Sequence, residues 1–269
     1  MSKISFEHVS LIYQNDNKDY PVLQDMNFSI QEGEFVSLIG SSGCGKSTTL
    51  NLLAGLQKPT RGQVKIDGKS VEGPGKDRGV VFQHYSLFPW MKARKNIEFG
   101  IRQISGSASK KETAAKAEQY LKLVGLEGKG GLYPYQLSGG MQQRVAIART
   151  LAMEPDILLM DEPFGAIDAR NRVLLQELLL ALLEKEEKPK TVLFVTHDID
   201  EAILLSDRIL FLREKRIFSA LKVPFGRPRK RQDIIGTGAY IQFRKQLFSL
   251  FGDSAEEPEE PEARIEGIA

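Results

Sequence analysis

The sequence predicts an α/β fold with a largely parallel sheet, a strand-rich first third and an inserted helical subdomain. Three observations carry this. From residue 157 onward, short apolar runs alternate with helical patterns, the pattern of strands and crossover helices. At 40–47 a glycine-rich turn joins a compact apolar run to a helical stretch. Between about 86 and 150 the character changes, with helical spacing of apolar residues replacing short strands.

The elements follow in order. Ile4, Phe6 and Val9 predict an edge strand. Phe35–Ile39 is an apolar run ending at Gly40, as in a buried strand, and Ser47–Leu56 reads as a helix with Gly55 near its end. Gln63–Asp67 followed by Gly68 predicts a hairpin arm with an Asp-Gly turn, and Gly79–Phe82 a short strand. Ser109–Leu123, rich in Ala, Lys and Glu and followed by Gly125, reads as a helix; Ser138 precedes a second, Met141–Met153. Beyond it come strand Ile157–Met160, helix Arg170–Glu187, strand Thr191–Val195, helix Ile199–Leu205 and strand Arg208–Leu212. Pro224–Arg231 is basic and proline-containing, and Tyr240–Phe251 has the spacing of a last amphipathic helix. Asp253–Ala269, with seven acids and one base, reads as a disordered tail.

Composition bounds the function. The 269 residues allow one large domain or two small ones, with a core that needs no staples. Hydrophobic residues at 41% and charged residues at 27% exclude wholesale disorder and fibrous repeats. A net charge of +2 is too balanced for a dedicated nucleic-acid binder, so none is expected as a partner. One cysteine, Cys44, excludes an internal disulfide and a multi-cysteine metal site. The N-terminus does not read as a secretory signal. The longest apolar stretch, Val173–Leu183, is interrupted by Gln176 and Glu177, short of the ~18 residues of a membrane span. The expectation is a soluble, cytoplasmic-type chain that meets a membrane only through a partner.

Gly40-Ser41-Ser42-Gly43-Cys44-Gly45-Lys46-Ser47 fits G-x-x-x-x-G-K-[ST] between a predicted strand and a predicted helix. Glycines let the backbone wrap phosphate oxygens closely, and the N–H groups and positive end of the following helix then face the anion. The expected contacts run from Gly40 through Thr48. Lys46 would neutralise β and γ phosphates, and the Ser47 hydroxyl would serve Mg²⁺ as a hard oxygen ligand. Alone, the motif means an NTPase or a kinase. Cys44 reads either as a redox-sensitive thiol or as a small filler in the loop. Downstream, Ile157–Met160 runs into Asp161 and Glu162. Ligands gather at the carboxyl ends of parallel strands, so Asp161 would hold the Mg²⁺ hydration shell and Glu162 would face the attacking water.

Leu137-Ser138-Gly139-Gly140-Met141-Gln142-Gln143-Arg144 resembles the signature of ABC-type ATPases. The likeness covers about residues 3–222. It implies a P-loop NTPase core of the ABC ATPase type, with a mixed β-sheet, an N-terminal antiparallel β portion and an inserted α-helical subdomain. The implied organisation is a RecA-like nucleotide-binding core over 1–85 and 151–222 and a signature subdomain over 86–150. A basic segment and helix over 223–252 and the acidic tail 253–269 follow. ATP and Mg²⁺ are the implied cofactors. Gln83 matches the Q-loop glutamine, a hinge residue and metal ligand. Asp168 matches the D-loop aspartate, His197 the switch histidine and Tyr13 an adenine-stacking aromatic. His8 and His84 carry no special reading. Ser138 reads as an N-cap, with Gly139 and Gly140 leaving the next N–H groups bare, which makes a second anion site. By resemblance, a head-to-tail dimer sandwiches each ATP between one subunit's phosphate loop and the other's signature.

Leu87-Phe88-Pro89-Trp90, Asn96, Phe164-Gly-Ala-Ile167-Asp168 and the Arg-Pro-Arg-x-Arg of 227–231 together are similar to the nitrate, sulfonate, taurine and bicarbonate importer group. Ile167 replaces the usual leucine, Met91-Lys-Ala-Arg-Lys95 replaces a Thr-Val pair, and the acidic extension has no counterpart. Sugar and polyamine importer ATPases add a C-terminal β-barrel domain of roughly 100 residues, for which too little chain remains after 222. The implied partners are a second copy, transmembrane permease subunits and, indirectly, a solute-binding protein, at the cytoplasmic face of the inner membrane as a peripheral subunit. Trp90 reads as either a partner-facing aromatic or a core residue. An importer for another small solute and a non-transport ABC ATPase are the alternatives. A P-loop kinase would need neither the signature nor a histidine switch.

Overall fold

The computed structural model describes residues 2–15, 18–104, 109–165, 167–184, 188–227 and 229–252. The tail expected to be disordered, 253–269, lies outside these residues, as do 185–187 of the helix expected over Arg170–Glu187 and Pro228 of the basic segment.

The first third forms an antiparallel sheet of β1 (Ser2–Asn15), β2 (Lys18–Gln31), β4 (Arg61–Ile66) and β5 (Lys69–Ser70), in the order β2-β1-β4-β5. The Asp67-Gly68 turn joins β4 to β5 as predicted. Strand β1 is interior rather than at the edge, with Phe6 opposite Phe28 on one side and Val64 on the other. Alternation reports which face a strand buries, not how many neighbours its backbone has. The three-residue step from Phe6 to Val9 is absorbed by a register shift there, with His8 at φ 49°, so Ile4, Phe6 and Val9 all face the core.

The second sheet holds β3 (Phe35–Ile39), β6 (Arg78–Val81), β7 (Ile157–Asp161), β8 (Thr191–Val195), β9 (Arg208–Arg213) and β10 (Arg216–Lys222). Their order is β10-β9-β3-β8-β7-β6, parallel except for β10 against β9, so the sheet is mixed. Strands β3 and β8 are buried at every position, which is why they read as unbroken apolar runs. Helix α1 (Lys46–Ala54) lies between the two sheets, where Leu50 and Leu53 join Phe6, Met26, Leu38 and Leu193 in one core. On the other face, α5 (Ala169–Glu184) packs Leu175 and Leu179 on Phe35, Met160 and Phe194. Each such side chain, fully buried, contributes about 1.5–3 kcal/mol of transfer free energy.

Helices α2 (Ala93–Ile104), α3 (Lys110–Leu123) and α4 (Gly139–Leu151) form the inserted subdomain around Ile97, Ile101, Ala117, Leu121 and Val145. A capping box of Ser109 and Glu112 starts α3. Helix α4 also reaches the main sheet, through Ile147 and Leu151. The C-terminal part docks on α6 (Ile199–Leu205) through the short α7 (Arg231–Ile234) and α8 (Gly238–Gly252). Tyr240 Oη and Arg244 Nε both donate to Asp200 Oδ1, at 2.6 and 2.7 Å. Arg229 is buried and donates to the carbonyls of Ile203, Leu204 and Ser206 at the end of α6. The basic segment therefore contributes a helix C-cap rather than only surface charge.

Candidate functional site

The phosphate loop leaves β3 at Gly40 and enters α1 at Lys46. Gly43 and Gly45 hold φ of 76° and 111°, a region that costs glycine little. A Cβ on Gly45 would also lie 2.5 Å from Leu23 Cδ2. Gly45 is the N-cap of α1 and supplies no side chain to it, so the first-turn N–H groups and the positive helix end remain for an anion. Lys46 is buried, and its Nζ donates to the carbonyls of Gly40 (2.8 Å) and Ser41 (2.9 Å), bringing the ammonium over the start of the loop. Burial pushes the Cys44 thiol pKa up against a smaller opposing pull from Lys46. Its sulfur packs beside Gly40, where a Cβ would come within 2.9 Å, which favours the filler reading over a reactive thiol.

The carboxylates stand where β7 ends. Ser47 Oγ donates to Asp161 Oδ1 at 3.1 Å. Burial raises the Asp161 pKa, with Glu162 adding to it and the Ser47 hydrogen bond opposing. Glu162 turns out of the strand at φ 42°, a strained backbone of the kind stored at functional sites. Its N–H donates to Val195 O at 2.9 Å, which locks that turn to the end of β8. Glu162 Oε2 then lies 3.3 Å from Gln83 Nε2 and 3.2 Å from His197 Nδ1. Three strand ends, β6, β7 and β8, thus deliver Gln83, Asp161, Glu162 and His197 to the mouth of the phosphate loop. The Ser47 hydroxyl, the Asp161 carboxylate and the Gln83 amide oxygen are hard donors that suit Mg²⁺.

Tyr13, half exposed near the end of β1, accepts a hydrogen bond at Oη from Gln57 Nε2 at 2.7 Å and pairs across the hairpin with Tyr20.

A second group stands apart. Ser138 caps α4 and its Oγ accepts from Met141 N–H at 3.3 Å, so the helix begins at Gly139 and the bare N–H groups expected beyond the glycines are reduced by one. Ser138, Gly139 and Gly140 line a cavity of about 630 Å³ together with Asp168 and Arg144. Asp168 accepts from Asn171 N (3.1 Å) and Nδ2 (2.7 Å), and these bonds hold its carboxyl below the usual range. The structure therefore groups Asp168 with the signature and not with Glu162, whose own cleft is lined by Arg172, Thr196, His197 and Asp198.

A third feature is an exposed groove of about 310 Å³ on the inserted subdomain, lined by Trp90, Met91, Lys95, Glu98, Phe99 and Tyr133. Trp90 is 70% exposed, so the core reading fails. Asn96 is fully buried and holds this segment, accepting from Phe88 N–H at 2.8 Å and donating to Met91 O at 3.0 Å. The sequence singled out Asn96 by resemblance alone. Its structural task was legible only as a polar residue on the inward face of α2. Arg172, Gln176 and Glu201, which bear on the His197 loop, were missed at the sequence level. Asp198 gave one usable signal, as an N-cap residue directly before a helix.

A family model described as ABC transporter matches residues 23–165. An uncharacterised ABC transporter ATP-binding protein of Methanocaldococcus jannaschii is 47% identical over 253 residues, covering 93% of this chain and 92% of that one. The nitrate import ATP-binding protein NrtD of Synechococcus elongatus is 45% identical over 250 residues, with 92% and 90% covered. The bicarbonate transport ATP-binding protein CmpC of the same species is 49% identical over 232 residues, spanning 85% of this chain but 35% of its own. Among solved structures, a dimeric ATP-binding cassette in a post-hydrolysis state with ADP and phosphate is similar at a TM-score of 0.76 and 37% identity, covering 83% of this chain and 100% of that one.

Proposed function

Because this chain belongs to the ABC transporter family of ATP-binding subunits, we propose that two copies of it form the motor of an importer for a small anion. The chain is an ABC ATPase and ATP is its nucleotide. Nitrate and bicarbonate are the favoured solutes, on the strength of the nitrate and bicarbonate transport relatives. Taurine or an alkanesulfonate fits the same motifs. The partners in this reading are permease subunits, with a solute-binding protein behind them, and the site of action is the cytoplasmic face of the inner membrane. No helix among the described residues is long and apolar enough to cross a membrane. The Trp90 groove, rimmed by Lys95 and Arg102, is the surface assigned to the permease; exposed aromatic pockets of this kind suit a protein partner.

The observation that carries the ATPase mechanism is the convergence on Glu162. Gln83 and His197 both reach its Oε2, and the Ser47–Asp161 pair stands at the start of α1 beside it. In this assignment α1 and Lys46 hold the phosphates. Ser47, Asp161 and Gln83 would hold Mg²⁺, which when bound neutralises phosphate charge. Glu162 orients and polarises the attacking water, and His197 fixes the carboxylate against the γ phosphate. Tyr13 stacks on the adenine. The signature and Asp168 are assigned to the partner's ATP, because the helix start at Ser138–Gly140 lines a different cleft from the one around Glu162 and a helix N-terminus suits an anion. Such an arrangement completes each pocket only in a head-to-tail pair.

Glu162→Gln tests this. Nucleotide binding should persist while turnover falls by about 10²–10⁴, the usual worth of a general base. ATPase assays and nucleotide titration read the two effects separately. Turnover near wild type would remove Glu162 from the role.

A further inference from the structure

The first two turns of α5 touch both loops that carry the assigned side chains. Asp168 stands just before the helix and is held by Asn171. Arg172 Nη2 donates to the carbonyl of Ile167 at 3.2 Å, and Arg172 Nη1 lies 3.7 Å from Asp198 Oδ2. One planar guanidinium thus spans the backbone beside Asp168 and the carboxylate directly after His197. A forked head can serve two acceptors at a fixed spacing, which a lysine ammonium does poorly.

Gln176 lies one turn further along the same helix face. It is buried and donates to Glu201 Oε1 at 3.0 Å. Glu201 Oε2 accepts from Thr196 Oγ1 at 2.6 Å, and Thr196 Oγ1 in turn accepts from Asp198 N–H at 3.0 Å. His197 therefore stands between two residues that are each tied to α5, while its own exposed ring reaches 3.2 Å to Glu162. These bonds run unbroken from Gln176 to the Asp198 N–H, while Gln176 Oε1 and Arg172 Nε are buried without a partner among the described residues, and such a chain resists rearrangement.

We propose that Arg172 is a positioning residue that keeps the His197 loop in register with the Asp168 loop, over a floor made by Gln176 and Glu201. The proposal rests on the roles assigned above to Glu162 and His197. The Asp168 loop shares its cavity with the signature, the surface assigned to the partner's nucleotide. Arg172 then ties that surface to the histidine of the chain's own pocket, so that closing one pocket sets the geometry of the other.

A structural role and a positioning role separate cleanly here. Both side chains of the Arg172–Asp198 pair are about a third exposed, and such pairs contribute little to stability. The experiment measures ATPase kcat and KM, nucleotide affinity and melting temperature for Arg172→Ala, Arg172→Lys, Asp198→Asn and the Ala/Asn double variant, with Glu162→Gln as control. Asparagine keeps the N-cap on Asp200 and Glu201 but loses the charge. Arg172→Ala should lower kcat about tenfold or more, the scale of a small misplacement at the reacting centre. Nucleotide affinity and melting temperature should hardly move. Asp198→Asn should resemble it, the double variant should be no worse than the worse single, and Arg172→Lys should recover part of the loss. If Arg172→Ala does not fold, Arg172→Lys and Asp198→Asn carry the same test, each with lowered kcat at unchanged affinity. Wild-type kcat in these variants, or losses that multiply in the double, would overturn the proposal when Glu162→Gln is inactive. A fully active Glu162→Gln would overturn the underlying reading instead, and the proposal with it.

Discussion

At the scale of single residues, backbone conformation and burial decide more than charge. Gly45 combines a left-handed φ with a Cβ position already occupied by Leu23. Gly45→Ala should therefore deform the loop and cut ATP affinity at least tenfold, read by nucleotide titration; unchanged affinity would show that the loop yields. Glu201 supplies a pH test. Burial raises its pKa, with Asp198 adding, against hydrogen bonds from Thr196 and Gln176. The folded state then binds the proton more tightly than the unfolded one, so this residue's contribution to stability falls as pH rises through the raised value. Relative to Glu201→Gln, which lacks the titration, the native chain should lose stability from acidic toward neutral pH, as measured by denaturant unfolding at several pH values. The motif residues were legible because their chemistry is local: Gly40–Ser47 is one turn, and Asp161–Glu162 one strand end. Arg229 and Arg172 were not, since each is defined by carbonyls and carboxylates distant in sequence or across a loop.

At the scale of elements, the parallel strands and α1 were legible from apolar runs bounded by glycine. Strand β2 was not, because Pro21, Asp25 and Asn27 are poor strand residues, and its pairing with β1 overrides them through several register shifts. Strand β10 was missed for a related reason: its faces alternate without becoming buried. Helix α2 carried a usable signal, Ala93, Ile97 and Ile101 at four-residue spacing, all of them buried. Helix α6 ends on Arg229, which is buried and pushed down to about 10 in pKa by burial, with Arg227 adding. Arg229→Ala would leave several carbonyls of that helix end without a donor. It should destabilise the chain by about 1–3 kcal/mol, seen as a lower denaturation midpoint, with isolated ATP binding retained. A midpoint equal to wild type would mean that water replaces the guanidinium without cost.

At the scale of the whole molecule, the two helix starts assigned to anions, those of α1 and α4, lie in one chain but in different clefts. The loop entering α1 meets Asp161 through Ser47, and the signature shares its cavity with Asp168. The Trp90 groove is a third surface, on the inserted subdomain. Trp90→Ala should leave hydrolysis by the isolated protein within about twofold, as expected of an exposed side chain outside the site, while reducing the activity of the reconstituted transporter. Equal activity in the reconstituted assay would move the permease contact elsewhere. The most direct measurement of the central claim is the mass in solution of Glu162→Gln with ATP, by light scattering, with and without Ser138→Arg in the same chain. Two completed pockets predict twice the 30.1 kDa of one chain for Glu162→Gln, and a return to single chains that still bind ATP when Ser138→Arg is added. Single chains in both cases, or a pair that survives Ser138→Arg, would contradict the account.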